Sequence, residues 1–242
     1  IVVLAIIQGV TEFIPVSSAG HLRVGSEFLD LSENTLIIDV AVHVGTLFAV
    51  ALYFWRDLVF IAVGTFETAR GRKHDGGRLA GYLIIATIPI VIAGFFGEAL
   101  LENSFRTLLI VGWTTVGFGI LLFLGDRLGM TILRIEHLSI PHAAIIGLAQ
   151  ILALVPGTSR SGVTITAARF LGYDRREAAR FSMLLSIPAI AGAGILIGMR
   201  LFETDDPVLT RDAFVAAVLS FVTALVAIVL FLRWLRFAGF GP

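Results

Sequence analysis

The chain of 242 residues contains no cysteine. Disulfides, thiol nucleophiles and cysteine-ligated metals are thereby excluded. Charge is also scarce, at 15% of residues, against about 25% in soluble domains. The 18 basic and 18 acidic side chains cancel, so no global field draws the chain to nucleic acid. Apolar residues make up 57% of the sequence and mean hydropathy is +0.94. Because this bias runs along the whole chain, it points to a lipid solvent rather than to one large soluble core. The 25 glycines suit close helix contacts and broken membrane helices. No signal peptide is visible. The chain opens inside an apolar run without a starting Met, and reads as a segment of a longer protein.

A spanning helix needs about 20 mostly apolar residues. Five stretches meet this requirement: Leu36–Phe54, Leu79–Phe96, Thr107–Leu124, Ser182–Met199 and Ala213–Leu232. Two others, Ile1–Ile14 and Ala143–Val155, are shorter. They stop at Pro15 and Pro156 and run into small polar residues. Irregular backbone at membrane depth is tolerated only where protein or a water-filled cavity covers it, so both are expected to be re-entrant hairpins. With the hairpins uncrossed, 13 of the 18 basic residues fall on one side, which the positive-inside rule makes cytoplasmic.

Aligning Pro15 with Pro156 gives an offset of 141 that sets Ser17 on Thr158 and Ser18 on Ser159. The same offset carries the first span onto the fourth and the second onto the fifth. Three spans separate the hairpins, so the halves have opposite topology, a plan with broken helices meeting near the midplane. The expected fold is thus an all-α integral membrane protein. It is a polytopic helix bundle with two re-entrant broken-helix hairpins in an inverted-topology repeat. One transmembrane domain, 1–242, would comprise repeat one (1–125) and repeat two (142–242). The partner of the third span would begin near residue 248, beyond this sequence.

The chemistry-bearing residues cluster at the two breaks. Gln8 and Glu12 lie at i and i+4 on one helix face, and a carboxylate among Val10, Phe13 and Ile14 is costly unless it is used or paired. Ser17, Ser18 and His21 follow Pro15, where a second half-helix would present free N–H groups to an anion, although serines here equally suit ordinary capping. The second break reads Pro156-Gly157-Thr158-Ser159-Arg160-Ser161-Gly162. It supplies three hydroxyls, two glycines and a guanidinium suited to bidentate phosphate recognition. Arg160 could also pair with Glu12. Together they form a candidate phosphoryl-transfer site, which needs positioning and charge neutralisation above all. His43 suits a hydrogen bond between helices.

The stretch Gln8 to His21 resembles the first signature of the bacterial undecaprenyl-pyrophosphate phosphatase family, also called bacitracin-resistance proteins. Pro156 to Gly162 resembles the second. The resemblance implies a multi-pass protein of the bacterial inner (plasma) membrane that releases phosphate from an isoprenoid pyrophosphate lipid and recycles the carrier for cell-wall synthesis. Its site is expected to open to the periplasmic side. By motif, Glu12, Ser18, His21 and Arg160 match catalytic positions. Gln8, Ser17, Gly157, Thr158, Ser159, Ser161 and Gly162 are expected to contact substrate. Gln8 stands where a second carboxylate occurs in the family, and cannot ionise. A divalent cation, Mg2+ or Ca2+, is implied; the sequence offers no complete protein cage for it, and Mg2+ bridging Glu12 and the pyrophosphate is expected. Attack by Ser18 with Glu12 or His21 as base, attack by His21, and direct attack by water all stay open. A lipid-phosphate transporter or flippase using the same anion site is the alternative function. The run Ala191-Gly192-Ala193-Gly194 would suit close helix contact in a homodimer.

Overall fold

The computed structural model describes residues 1–28, 35–104, 107–201 and 207–240. Among them there are ten α-helices and no strand: α1 (Val2–Thr11), α2 (Ser18–Phe28), α3 (Thr35–Tyr53), α4 (Trp55–Ala69), α5 (Asp75–Ser104), α6 (Leu108–Leu128), α7 (Ile140–Gln150), α8 (Arg160–Phe170), α9 (Arg175–Leu201) and α10 (Pro207–Trp234). Single 3₁₀ turns cover Ile135–His137 and Ile151–Leu154. Three helical stretches are long and apolar enough to cross a membrane: Asp75–Phe96, Leu108–Leu128 and Arg211–Trp234. Phe95, Leu109, Trp113 and Phe214 stand out from them with more than two-thirds of their surface uncovered. Such a display of large apolar side chains is stable in lipid, not in water.

The segment that follows the first expected span lies outside every apolar stretch picked out from the sequence. It is helical, and α3 and α4 meet at 77° about Phe54. Arg56, Asp57 and Arg70 obscure an apolar face (Leu58, Ile61) on a helix that packs on α5. The fourth expected span is longer than its apolar stretch, because the polar amino-terminal half of α9 is helical as well. Ser182 and Ser186 there are buried beside Met183, Leu184 and Leu185.

Each hairpin is interrupted for the same covalent reason. Proline has no N–H to donate and its ring crowds the carbonyl four residues back. Pro15 therefore leaves Thr11 as the last residue of α1. Before Pro156 the chain tightens into the 3₁₀ turn, with Val155 N–H bonding Leu152 at 3.1 Å. The next helices then start on serine caps. The Ser17 hydroxyl accepts from Gly20 N–H (3.1 Å) and the Ser159 hydroxyl accepts from Gly162 N–H (3.1 Å). The capping serines lie 142 positions apart, as do the fully buried Gln8 and Gln150. Both spacings exceed by one the 141 positions between Pro15 and Pro156.

Packing is exchanged between the two ends of the chain. Helix α1 lies on α10, and α7 lies on α5. Gly9 lets α1 approach closely, since a Cβ there would fall 2.8 Å from the Ser220 carbonyl oxygen. Helix α10 also covers α3, where the Ser220 hydroxyl donates to the Val42 carbonyl at 2.8 Å. At the far end of α8, the buried Arg169 pairs with Asp126 of α6 (3.3 Å), which Arg175 of α9 also holds through two bonds of 2.6 and 3.0 Å. This knot fixes α8 at its carboxyl end and leaves its amino end to face the first hairpin. Beside it, burial pushes the Tyr173 phenol up to about 12, so it stays a hydrogen-bonding neutral group.

Candidate active site

The amino ends of α2 and α8 meet at a cavity of about 430 Å³. Glu12, Ser18, Thr158, Ser159 and Arg160 line it, together with Asp39 and His43 of α3. Apolar walls come from Ile90 of α5 and Ile190 of α9. The first N–H groups of a helix have no acceptor within it, and the helix dipole adds partial positive charge there. Two such ends converging on one cavity favour an anion.

Glu12 is the hub. Its Oε1 accepts from Arg160 Nη2 at 2.5 Å, which joins the two hairpins across 148 positions of chain. Its Oε2 accepts from Ser18 Oγ (2.8 Å) and from Gln8 Nε2 (2.9 Å), and His43 Nε2 stands 3.9 Å away. The side chains of Glu12 and Arg160 are only 6% and 16% exposed. Buried ions persist when paired and hydrogen-bonded, and this pair meets both conditions. Ser18 and Glu12 are at the distance expected of a nucleophile and its base.

Thr158 is buried, and its hydroxyl has no partner among the described residues although it borders the cavity. An unpaired buried hydroxyl costs about 1–3 kcal/mol, so the site holds a donor ready for a ligand oxygen. Gly157 makes the turn that puts it there. Its φ is +89° and a Cβ would lie 2.5 Å from the Val111 carbonyl oxygen. Helix α6 fastens this turn from behind. Thr114 Oγ1 lies 2.7 Å from the Pro156 oxygen and Thr115 Oγ1 lies 3.0 Å from the Gly157 oxygen.

Several residues expected to meet substrate sit behind the cavity wall instead. Ser17 is buried as the cap of α2, because α2 starts one residue later than a substrate-facing Ser17 would need. Gln8 is fully buried and directs its amide to Glu12. Ser161 bonds the Ile14 carbonyl at 3.1 Å and so ties one hairpin to the other. Gly162 gives its N–H to the Ser159 cap. His21 is exposed, lies outside the cavity lining, and holds the Ser17 carbonyl at 2.6 Å. In its place the fold brings His43 and Asp39 to the cavity. Neither was picked out as a site residue from the sequence, although a His and an Asp at i and i+4 in an apolar span are a visible signal. The Thr114-Thr115 pair carries no such signal, because the carbonyls it bonds lie 42 positions away.

Comparison with known proteins agrees with these features. The family model described as bacitracin resistance protein BacA matches residues 1–242. An undecaprenyl-diphosphatase of Jannaschia sp. (strain CCS1) is 48% identical over 241 residues, covering 99% of this chain and 90% of the relative. Undecaprenyl-diphosphatase 1 of Rhodospirillum rubrum is 47% identical, covering 100% of this chain and 88% of the relative. The undecaprenyl-diphosphatase of Alteromonas mediterranea is 44% identical, covering 100% and 91%. With its whole length matched and both hairpin motifs in place, the chain belongs to the bacitracin resistance protein BacA family.

Proposed function

We propose that this protein is a membrane phosphatase that hydrolyses undecaprenyl diphosphate to undecaprenyl phosphate and inorganic phosphate, recycling the lipid carrier for cell-wall synthesis. The observation that carries this reading is the single cavity-lining cluster of Ser18, Glu12 and Arg160, with Ser18 donating to Glu12 at 2.8 Å. It sits in a chain whose relatives bear the name undecaprenyl-diphosphatase.

The residues divide the work as follows. Arg160, the unpartnered Thr158 hydroxyl and the amino ends of α2 and α8 hold the phosphate oxygens and neutralise charge in the transition state. Ser18 Oγ attacks the terminal phosphorus while Glu12 Oε2 takes its proton. The bond to the bridging oxygen breaks, and prenyl monophosphate leaves. Water then attacks the phosphoserine and frees inorganic phosphate. His21, which is not among the cavity-lining residues and is directed to the Ser17 carbonyl, has no chemical role in this scheme.

The expected divalent cation, Mg2+ or Ca2+, does not fit as a resident ion on Glu12. Both carboxylate oxygens are already occupied, one of them by a guanidinium. Among the described residues no three His, Asp or Glu side chains are grouped to hold a metal. A cation would instead enter on the diphosphate, in keeping with the habit of Mg2+ of binding through substrate phosphates.

We also infer that the two hairpins belong to an inverted repeat and that the cavity opens to the periplasmic side. The exchanged packing of α1 on α10 and α7 on α5 supports the repeat. The excess of arginines at the Arg56, Arg78 and Arg180 end supports the orientation. The test of the activity is phosphate release from a C15 or C55 prenyl diphosphate by purified protein in detergent, beside Glu12→Gln and Arg160→Ala. Release by the wild type that is lost in both variants is expected. Absence of release from folded wild type, with and without divalent cations, would overturn the reading.

A further inference from the structure

We propose that His43 is the catalytic base of the second half-reaction, taking a proton from the water that hydrolyses the phosphoserine at Ser18. This rests on the serine-nucleophile reading above. His43 Nδ1 lies 2.6 Å from the carbonyl oxygen of Asp39, one helical turn earlier. A carbonyl only accepts, so Nδ1 carries the hydrogen and the neutral ring keeps its lone pair on Nε2. That nitrogen faces the cavity, 3.9 Å from Glu12 Oε2, the same oxygen that accepts from Ser18. The His43 side chain is 37% exposed whereas that of Glu12 is 6% exposed, so water reaches the imidazole far more readily than the carboxylate.

The proton inventory requires a second base. In the first step the Ser18 proton passes to Glu12, the Ser18 oxygen bonds to phosphorus, and the prenyl monophosphate leaves with the bridging oxygen. Glu12 is then protonated and cannot accept again. In the second step water bonds to phosphorus, its proton passes to His43 Nε2, and the phosphorus–Ser18 bond breaks. The Ser18 oxygen recovers the proton held by Glu12. Inorganic phosphate departs, and His43 returns its proton to solvent. Charge and atoms balance in both steps, with no further reactant. The charged groups facing His43 are Glu12 and Arg160 across the cavity and Asp39 on its own helix. Of these, Glu12 is spent and Arg160 only donates; Asp39 Oδ1 is unpartnered and borders the cavity, but among the described residues only His43 stands beside the Glu12 oxygen that accepts from Ser18. His21 makes the same backbone contact as His43 but lies outside the cavity lining.

The experiment uses the full-length protein in detergent with C15 prenyl diphosphate, and compares His43→Gln, His43→Ala and Ser18→Ala. Glutamine keeps a hydrogen-bonding group but accepts no proton at neutral pH. For His43→Gln we expect a burst of prenyl monophosphate equal to the protein present, then turnover slowed about a hundredfold or more. Phosphate should be trapped on Ser18, detectable by mass spectrometry. Added imidazole should restore turnover in His43→Ala, which a purely structural histidine would not allow. Wild-type turnover in His43→Gln would overturn the proposal. Uniformly slow release without a burst, trapped phosphate or imidazole rescue would overturn it too. Phosphate release by Ser18→Ala would separately sink the serine-nucleophile reading.

Discussion

Glu12 and Arg160 meet at 2.5 Å although 148 positions separate them in the chain. Removing one partner of a buried pair strands the other charge, at a cost of about 3–5 kcal/mol. Glu12→Gln and Arg160→Met should each lower the thermal unfolding midpoint in detergent and abolish phosphate release. The double variant should recover much of the stability and none of the activity. A double-mutant cycle read by both unfolding and turnover checks this. Additive losses of stability would contradict the pairing.

The two neighbouring serines should separate cleanly. Ser17→Ala loses the cap of α2 and should cost about 1 kcal/mol of stability, with most of the turnover retained. Ser18→Ala should keep its stability and lose turnover, because among the described residues its hydroxyl bonds only Glu12, and it borders the cavity. Measuring unfolding and phosphate release on the same preparations gives both answers.

Thr158→Val replaces an unpartnered buried hydroxyl with a methyl of similar size. Stability should hold or rise slightly, since no bond is lost in the free protein. Catalytic efficiency should fall about ten- to a hundredfold, the worth of a hydrogen bond to a charged oxygen. Steady-state kinetics on the prenyl diphosphate gives the readout, with the loss in kcat/KM.

Gly157→Ala meets two obstacles, a φ of +89° and the Val111 carbonyl oxygen at 2.5 Å. Left-handed backbone alone costs a non-glycine residue about 1–2 kcal/mol, and the clash adds to it. The turn should pull away from α6, with loss of folded yield and of activity. Thr115→Val, which removes only one tether to the same turn, should weaken activity with a smaller fall in stability.

The two helix breaks were legible in the sequence because proline dictates a break wherever it stands, and because polar residues in an apolar context have few other uses. Glu12, Ser18, Thr158 and Arg160 followed from that pattern. Ser17 was misplaced by one residue: which serine caps and which faces the cavity depends on where the first turn of α2 closes, and local sequence leaves both registers open. Helix α4 was hidden because its arginines read as a loop until α5 supplied an apolar surface to pack on. Thr114 and Thr115 act on a turn 42 positions away, and their own span carries no mark of that partner; His43 stands out as a polar residue in an apolar span, but its approach to Glu12 comes only from folding.

The packing of α10 against α1 and α3 converts chain order into an order in time. Synthesis runs from the amino end, so Glu12 and Ser18 enter the membrane long before Arg160. The surface that Gly9 packs on, around Ser220 and Ala224, arrives later still. A nascent chain thus carries Ser18 and Glu12 before it has either the guanidinium or the surface of α10. Until α8 and α10 are made, the cavity lacks Thr158 and Arg160, and α1 lacks the surface on which Gly9 packs.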